Sequence, residues 1–95
     1  MKSSDRVLAG RYAGALLQAA AAGGEEQTVL AELASAHRLL QAQDALLRHP
    51  RAAVADKKKL VRATLEGKAG ATTLRFVELL LEKKRYELFP TIASV

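Results

Sequence analysis

Residues 71–85 read ATTLRFVELLLEKKR and are the most hydrophobic stretch of this 95-residue chain. The valine and most of the leucines recur at the spacing of one helix face, which predicts an amphipathic α-helix with that face in a core. Leu79 projects roughly 100° further round the helix, beside Phe76, and is therefore predicted to point away from the core. The residues expected on the core face are Leu74, Val77, Leu80 and Leu81.

The rest of the chain repeats this helical pattern between glycine and proline residues. Apolar residues keep a helical rhythm, and the alternation of period two that strands require is absent. Alanine and leucine, which dominate the composition, are good helix formers. We predict an all-α fold, with residues 1–95 forming one compact bundle of about six helices. The further helical segments are residues 4–22, 25–41, 44–48, 54–65 and 88–95.

The ends of these segments and the core follow from the same pattern. Ser4 or Asp5 is expected to cap the first helix, and Asp44 the third, because such side chains accept hydrogen bonds from free backbone N–H groups. Pro50 is expected to end the third helix, since the residue before a proline disfavours helical geometry. Glu78 is expected on the surface of its helix. The residues expected in the core are Leu16, Leu33, Leu40, Leu60, Val77, Leu80 and Leu81.

The first segment carries more apolar surface than one core contact needs. Its apolar residues form two adjacent stripes that cover an arc of roughly 160°, against about 100° for an ordinary surface helix. A central helix enclosed by its own domain and a helix that offers one stripe to a partner both fit this pattern. The Leu8 stripe comprises Leu8, Tyr12, Ala15 and Ala19, and the Ala9 stripe comprises Ala9, Ala13, Leu16 and Ala20.

The sequence contains no constellation of residues typical of catalysis or metal binding. Cysteine is absent, and His37 and His49 lack a second ligand at metal-binding spacing, so we expect no metal site. A phosphate-binding glycine loop, a dinucleotide fingerprint and a nucleophile elbow are also missing. The sequence therefore predicts a binding domain that is not an enzyme and uses no cofactor.

The net charge of +5 is unevenly distributed. Residues 1–47 carry four basic and five acidic side chains, a balance of −1, whereas residues 48–95 carry eleven basic and five acidic, a balance of +6. The densest basic run, residues 57–59, could contact phosphates but is interpreted as a solvated helix face. No apolar run approaches the roughly 20 residues that span a bilayer, so direct membrane insertion is not expected.

Five segments, in this order and spacing, resemble the ATP synthase delta subunit family, whose mitochondrial member is the oligomycin-sensitivity-conferring protein. Residues 10–16, GRYAGAL, are similar to the family's Arg-Pro-Tyr-Ala-x-Ala-Leu signature. LLRHP at 46–50 followed by DKKKL at 56–60 resembles its leucines, proline and lysine-rich helix. FVELLLEKKR at 76–85 and LFPTI at 88–92 are similar to its aromatic, Leu-Leu, Glu, Arg and Ile run. The ordered set covers nearly the whole chain.

Two positions depart from the family pattern. Arg11 stands where the family usually has proline, and Arg75 stands where asparagine often precedes the aromatic residue. Neither departure removes an apolar contact. The sequence is therefore compatible with a divergent member of the family or with a subunit that carries additional domains.

The resemblance implies a six-helix domain that caps the catalytic head of the enzyme. Helices one and five would hold the N-terminal helix of an alpha subunit, and a C-terminal region after Val95 would join the b subunits. The chain would be a stator component at the cytoplasmic face of the inner (plasma) membrane, keeping the head from turning with the rotor during proton-driven ATP synthesis. The residues assigned to the partner-helix groove are Leu8, Tyr12, Ala15, Phe76 and Leu79.

Two other functions fit the residues without the resemblance. The basic second half would suit a nucleic-acid-binding domain, which should bind duplex with a steep salt dependence. A helical accessory domain of a larger protein would show a catalytic motif downstream of Val95. We expect neither nucleic acid nor a nucleotide to be a ligand of this chain.

Overall fold

The structure, a computed structural model, describes residues 3–93, with side chains from Asp5 onward. Six α-helices and two short 3₁₀ turns, Gln41–Gln43 and Tyr86–Leu88, make up this part of the chain, which contains no strand. The all-α prediction of about six helices is confirmed. The helices are α1 Ser3–Ala22, α2 Glu26–Leu40, α3 Asp44–Leu47, α4 Val54–Leu65, α5 Ala71–Glu82 and α6 Phe89–Ala93.

Two helices end in the same left-handed turn, which fixes the direction of the next segment. After α1, the N–H groups of Gly24 and Glu25 bond back to Ala21 and Ala20, with Gly24 at a φ of 71°. This is the Schellman arrangement, in which glycine adopts the left-handed conformation without steric cost. At the end of α5, Lys84 takes the same role at a φ of 57°.

The core lies around α2, which packs against α1, α4, α5 and α6. Each of these helices contributes a buried stripe, and α6 places Phe89 and Ile92 in the interior. On α2 the stripe has the predicted spacing of one helix face. The buried residues of α2 are Val29, Leu33, Ala36 and Leu40.

Six of the seven predicted core residues are buried, and the exception is Leu60. Leu60 is half-buried because α4 presents Val61 and Leu65 to the interior instead, about 100° round the helix from Leu60. Leu74 of α5 is likewise half-buried at the margin of the core. The confirmed core residues are Leu16, Leu33, Leu40, Val77, Leu80 and Leu81.

The predictions that Asp5 caps the first helix and that Asp44 caps the third are wrong. Asp5 lies inside the first turn of α1, and Ser4 is also helical, although its side chain is outside the described residues. Asp44 is the first residue of α3, and its carboxylate accepts a bond of 3.0 Å from Arg48 Nε instead of capping the helix. The third helix ends at Leu47, before the turn that contains Pro50.

The last predicted helix begins one residue later than expected and is preceded by a 3₁₀ turn. Pro90 is the second residue of α6, where its missing N–H would be unbonded in any helix. Residues 94 and 95, which the prediction included, lie outside the described residues. Among the helices of residues 3–93, none is both long and apolar enough to cross a membrane.

Glu32 of α2 holds the start of α5 through both of its carboxylate oxygens. The backbone N–H of Gly70 donates to Oε2 at 3.0 Å, and the hydroxyl of Thr73 donates to Oε1 at 2.6 Å. Because Thr73 is fully buried, its hydroxyl depends on this acceptor. Glu32 thus satisfies the first turn of α5 from a different helix, in place of a local cap.

We predict that Glu32→Ala lowers the free energy of unfolding by about 1–3 kcal/mol, because the buried hydroxyl of Thr73 loses its acceptor. Urea denaturation followed by circular dichroism measures the effect. Glu66→Ala is the matched control, because it removes an exposed carboxylate that forms no hydrogen bond or ion pair with a described residue. Equal losses in the two variants would contradict the role assigned to Glu32.

Candidate partner-helix groove

The two apolar stripes of α1 have different environments in the fold. The Ala9 stripe is in the core, with all four of its residues no more than 8% exposed. The Leu8 stripe faces outward: Leu8 and Tyr12 are half-buried, while Ala15 and Ala19 are exposed. The domain therefore covers one stripe and leaves the other open.

The Leu8 stripe, apart from Leu8 itself, faces α5 across an open groove of about 600 Å³. The Thr72 hydroxyl at the start of α5 donates to Glu25, just after the end of α1, at 3.1 Å. The end of α1 thus lies beside the start of α5. The lining residues are Tyr12, Ala15, Leu16, Ala19, Ala71, Thr72, Arg75, Phe76 and Leu79.

Four of the five residues assigned to the groove from sequence line it. Phe76 is only 5% exposed and contributes to the floor, whereas Leu79 is half-buried and Ala15 is open to solvent. Leu8 does not line the groove; it precedes Tyr12 by one turn on the same stripe and packs partly against the core. That these residues bind a partner helix stays a prediction.

Sequence reasoning missed several lining residues, chiefly Arg75 and Thr72. Both lie on the Leu79 side of α5, with Arg75 one turn before Leu79 and Thr72 one turn before Phe76. That spacing was a usable signal. Hydrophobic periodicity did not single out these two residues, because Arg75 is charged and Thr72 is polar.

Glu78 is buried, so its predicted surface position is wrong. Only 2% of it is exposed, because α4 packs over this side of α5. Arg62 of α4 donates to the carboxylate twice, from Nε at 2.6 Å and from Nη2 at 3.2 Å. The hydrogen bond to Glu78 raises the pKa of the Arg62 guanidinium, so the charged pair is favoured.

Glu82 forms a second ion pair between α4 and α5. Lys58 Nζ lies 2.6 Å from its carboxylate, and Arg75 Nη1 lies 3.3 Å from the same oxygen. The hydrogen bond from Lys58, helped by the charge of Arg75, lowers the pKa of Glu82 below its usual value. Because Arg75 also lines the groove, this network reaches from α4 to the groove rim.

Both histidines make structural contacts within the fold. The ring of His37 packs edge-on against Phe89, with ring centroids 5.8 Å apart. His49 Nδ1 accepts a hydrogen bond from the backbone N–H of Arg51 at 3.1 Å within the α3–α4 connection. Within residues 5–93, no three side chains of the kinds that bind metals come together as a metal site.

A second pocket lies at the other end of α5, between that helix and the α3–α4 connection. Its volume of about 270 Å³ is smaller than that of the groove, and its rim carries Arg48, Lys57, Lys84 and Glu87. Tyr86 forms part of its wall, and burial raises the pKa of the Tyr86 phenol. This pocket is smaller and more charged than the groove, so the groove is the better candidate for receiving a helix.

The fold and the open groove define a small all-α module that presents an apolar surface between two helices. A family model of the ATP synthase delta (OSCP) subunit matches residues 8–95, and the chain belongs to that family. Comparison with curated proteins and with solved structures gave no significant match.

Membership of the family establishes the general role of the chain. It is a non-catalytic, peripheral-stalk subunit of ATP synthase. Such a subunit is peripheral to the membrane and associates with other subunits of the complex.

We predict that the Lys58–Glu82 pair stabilises the fold in a pH-dependent way. The pKa of Glu82 is lowered in the folded state, so its contribution is present above its ordinary pKa of 4.5 and is lost as the pH falls through the lower, folded value. Glu82→Gln should therefore be less stable than the native chain near neutral pH, and the difference should vanish in acid. Urea midpoints measured from neutral to strongly acidic pH test this.

Glu66→Gln is the control for the pH series, since Glu66 is exposed and has no ion pair with a described residue. A stability difference between Glu82→Gln and the native chain that does not change with pH would contradict the assignment.

Proposed function

We propose that this domain attaches the peripheral stalk to the catalytic head by holding the N-terminal helix of an alpha subunit in the α1–α5 groove. The observation that carries the proposal is the exposure of the Leu8 stripe opposite Leu79. Two of its alanines lie open on one wall, and the residues of α5 that face them are mostly apolar. An amphipathic helix laid into such a groove is a common mode of recognition.

The groove has the features that a partner helix requires. Its walls come from two helices whose other faces are in the core, so the groove exists before the partner arrives. Small residues on α1 leave room for the partner's backbone, and Tyr12, Phe76 and Leu79 offer larger apolar surfaces. A preformed groove favours affinity because little conformational entropy is lost on binding.

The proposed role is mechanical. With the alpha-subunit helix in the groove, and b subunits joined through a region expected after Val95, the subunit would link the head to the membrane-anchored stalk. The link would resist the torque of the rotor during proton-driven ATP synthesis at the cytoplasmic face of the membrane. Nothing in this role requires the chain to bind a nucleotide.

The basic charge of the second half gives nucleic-acid binding no specific support. Lys58 is paired with Glu82, and Arg62 is paired with the buried Glu78, so part of the positive surface is neutralised within the domain. Lys57 lines the smaller pocket, which an acidic residue, Glu87, also lines. We therefore keep the stator role as the single proposed function.

We predict that two adjacent leucines separate binding from folding. Leu80 is fully buried, so Leu80→Ala should lower the free energy of unfolding by about 2–5 kcal/mol. Leu79 is half-buried at the groove, so Leu79→Ala should change stability by no more than about 1 kcal/mol. The same change should weaken binding of the alpha-subunit N-terminal peptide by about 1–2 kcal/mol.

Thermal denaturation and calorimetric titration with the alpha-subunit peptide measure the two quantities in each variant. Leu80→Ala serves as the control for Leu79→Ala, because it removes the same atoms from the interior. If Leu79→Ala unfolds the domain but binds the peptide normally per folded molecule, the groove assignment is wrong.

We predict that a charge placed on the open wall of α1 abolishes binding without unfolding the domain. Ala15 is exposed in the free domain, so Ala15→Asp should cost only the lower helix propensity of aspartate, about 0.5 kcal/mol. In the complex the carboxylate would be taken out of water beneath the apolar face of the partner helix, which is strongly unfavourable. Titration with the same peptide measures the loss.

Ala34→Asp is the matched control, since Ala34 is exposed on α2 and does not line the groove. It carries the same propensity cost and the same change in net charge. Equal peptide affinity in the two aspartate variants would argue against binding at the Leu8 stripe.

A further inference from the structure

Arg75 gives the groove a charge that its apolar walls do not suggest. Among the described residues that line the groove, it is the only charged one. It lies one helical turn before Leu79 on the same side of α5, and 67% of its side chain is exposed. A partner helix that packs on Leu79 would therefore pass within reach of the guanidinium group.

The ion-pair network neutralises the positive charge of Arg75 only in part. Its two carboxylates, Glu78 and Glu82, each have their shortest bond, 2.6 Å, to a cation of α4, Arg62 or Lys58. Arg75 approaches the same carboxylates only at 3.9 Å and 3.3 Å. Three cations thus share two carboxylates, and the remaining positive charge lies at the groove rim.

The guanidinium group is also held in position for a partner. Its contacts to Glu78 and Glu82 both use Nη1. Nε and Nη2 have no bond to a described residue, and a guanidinium carries five N–H donors in a fixed planar arrangement. The contacts through one nitrogen restrain the side chain, while the other two nitrogens remain available to a carboxylate.

We propose that Arg75 is a specificity-determining residue of the groove, which selects an amphipathic helix with a carboxylate at the edge of its apolar stripe. That carboxylate lies three or four residues from the apolar side chain that packs on Leu79, because Arg75 and Leu79 are themselves one turn apart. The inference rests on the proposed function in taking a helix as the occupant, and it adds the charge that the helix must carry.

Arginine rather than lysine suits this role. Its planar fork can bind a carboxylate through two parallel hydrogen bonds, which fixes direction as well as charge. A pair at the rim of an interface contributes chiefly to selectivity and association rate. The apolar walls then supply most of the affinity, and Arg75 determines the register in which the helix binds.

The test is a calorimetric titration of the folded domain with two peptides. One is the alpha-subunit N-terminal peptide, and the other is the same peptide with its carboxylate side chains replaced by amides. Arg75→Gln removes the charge but keeps a polar side chain. Arg51→Gln is the control, because Arg51 is exposed, does not line the groove, and has no side-chain bond to a described residue.

The native domain should prefer the acidic peptide by about 3-fold to 10-fold at low salt, and less at high salt. Arg75→Gln should abolish that preference and leave affinity for the amide peptide unchanged, whereas Arg51→Gln should keep it. Equal affinity of the native domain for both peptides would overturn the inference. So would an equal loss for both peptides in Arg75→Gln, which would indicate a structural role.

Failure of the proposed function gives a different result. If neither alpha-subunit peptide binds the folded native domain, the stator proposal fails, and the charge preference is then measured with a designed amphipathic helix carrying either an acidic or an amide edge. Preference for the acidic helix that Arg75→Gln removes would support the inference, and the absence of such a preference would overturn it.

Discussion

Two buried polar side chains on α5 bond to two different neighbouring helices and so fix the rotation of α5 about its axis. Thr73 donates to Glu32 of α2, and Glu78 accepts from Arg62 of α4. The two residues are five positions apart, roughly 140° round the helix. Rotation in either direction would leave a buried polar group without its partner, which is costly. The faces that α5 presents to the core and to the groove are therefore set together.

Side-chain size on α1 produces both the close packing of the core and the open groove. Three of the four residues of the Ala9 stripe are alanines, which let α1 approach its neighbours closely, with Leu16 as the single large side chain. The alanines of the Leu8 stripe leave space that the domain itself does not fill. Alanine thus allows close packing on one side of α1 and leaves an open groove on the other.

The periodicity of apolar residues predicted the helices well and the polar contacts poorly. Helices α2 to α5 begin and end within three residues of their predicted limits, because glycine and proline punctuate the pattern. Glu78 was misplaced because a hydrophobicity pattern assigns any carboxylate to solvent, and here an arginine of another helix reaches it. Leu60 was predicted to be buried but lies at the edge of the core face of α4. It is one residue, about 100° round the helix, from the buried Val61.

The sequence alone determined the all-α class, the helix limits, the two stripes of α1 and the position of Leu79 off the core face, since all of these depend on residues close in the chain. It could not determine which stripe of α1 the domain would cover, because that depends on where α2 and α6 pack. Nor could it show that Arg75 lies on the groove rim with a positive charge that the ion pairs only partly neutralise. That result requires Lys58 and Arg62, far along the chain, to lie beside the carboxylates of α5, and only the packing of α4 on α5 brings them there.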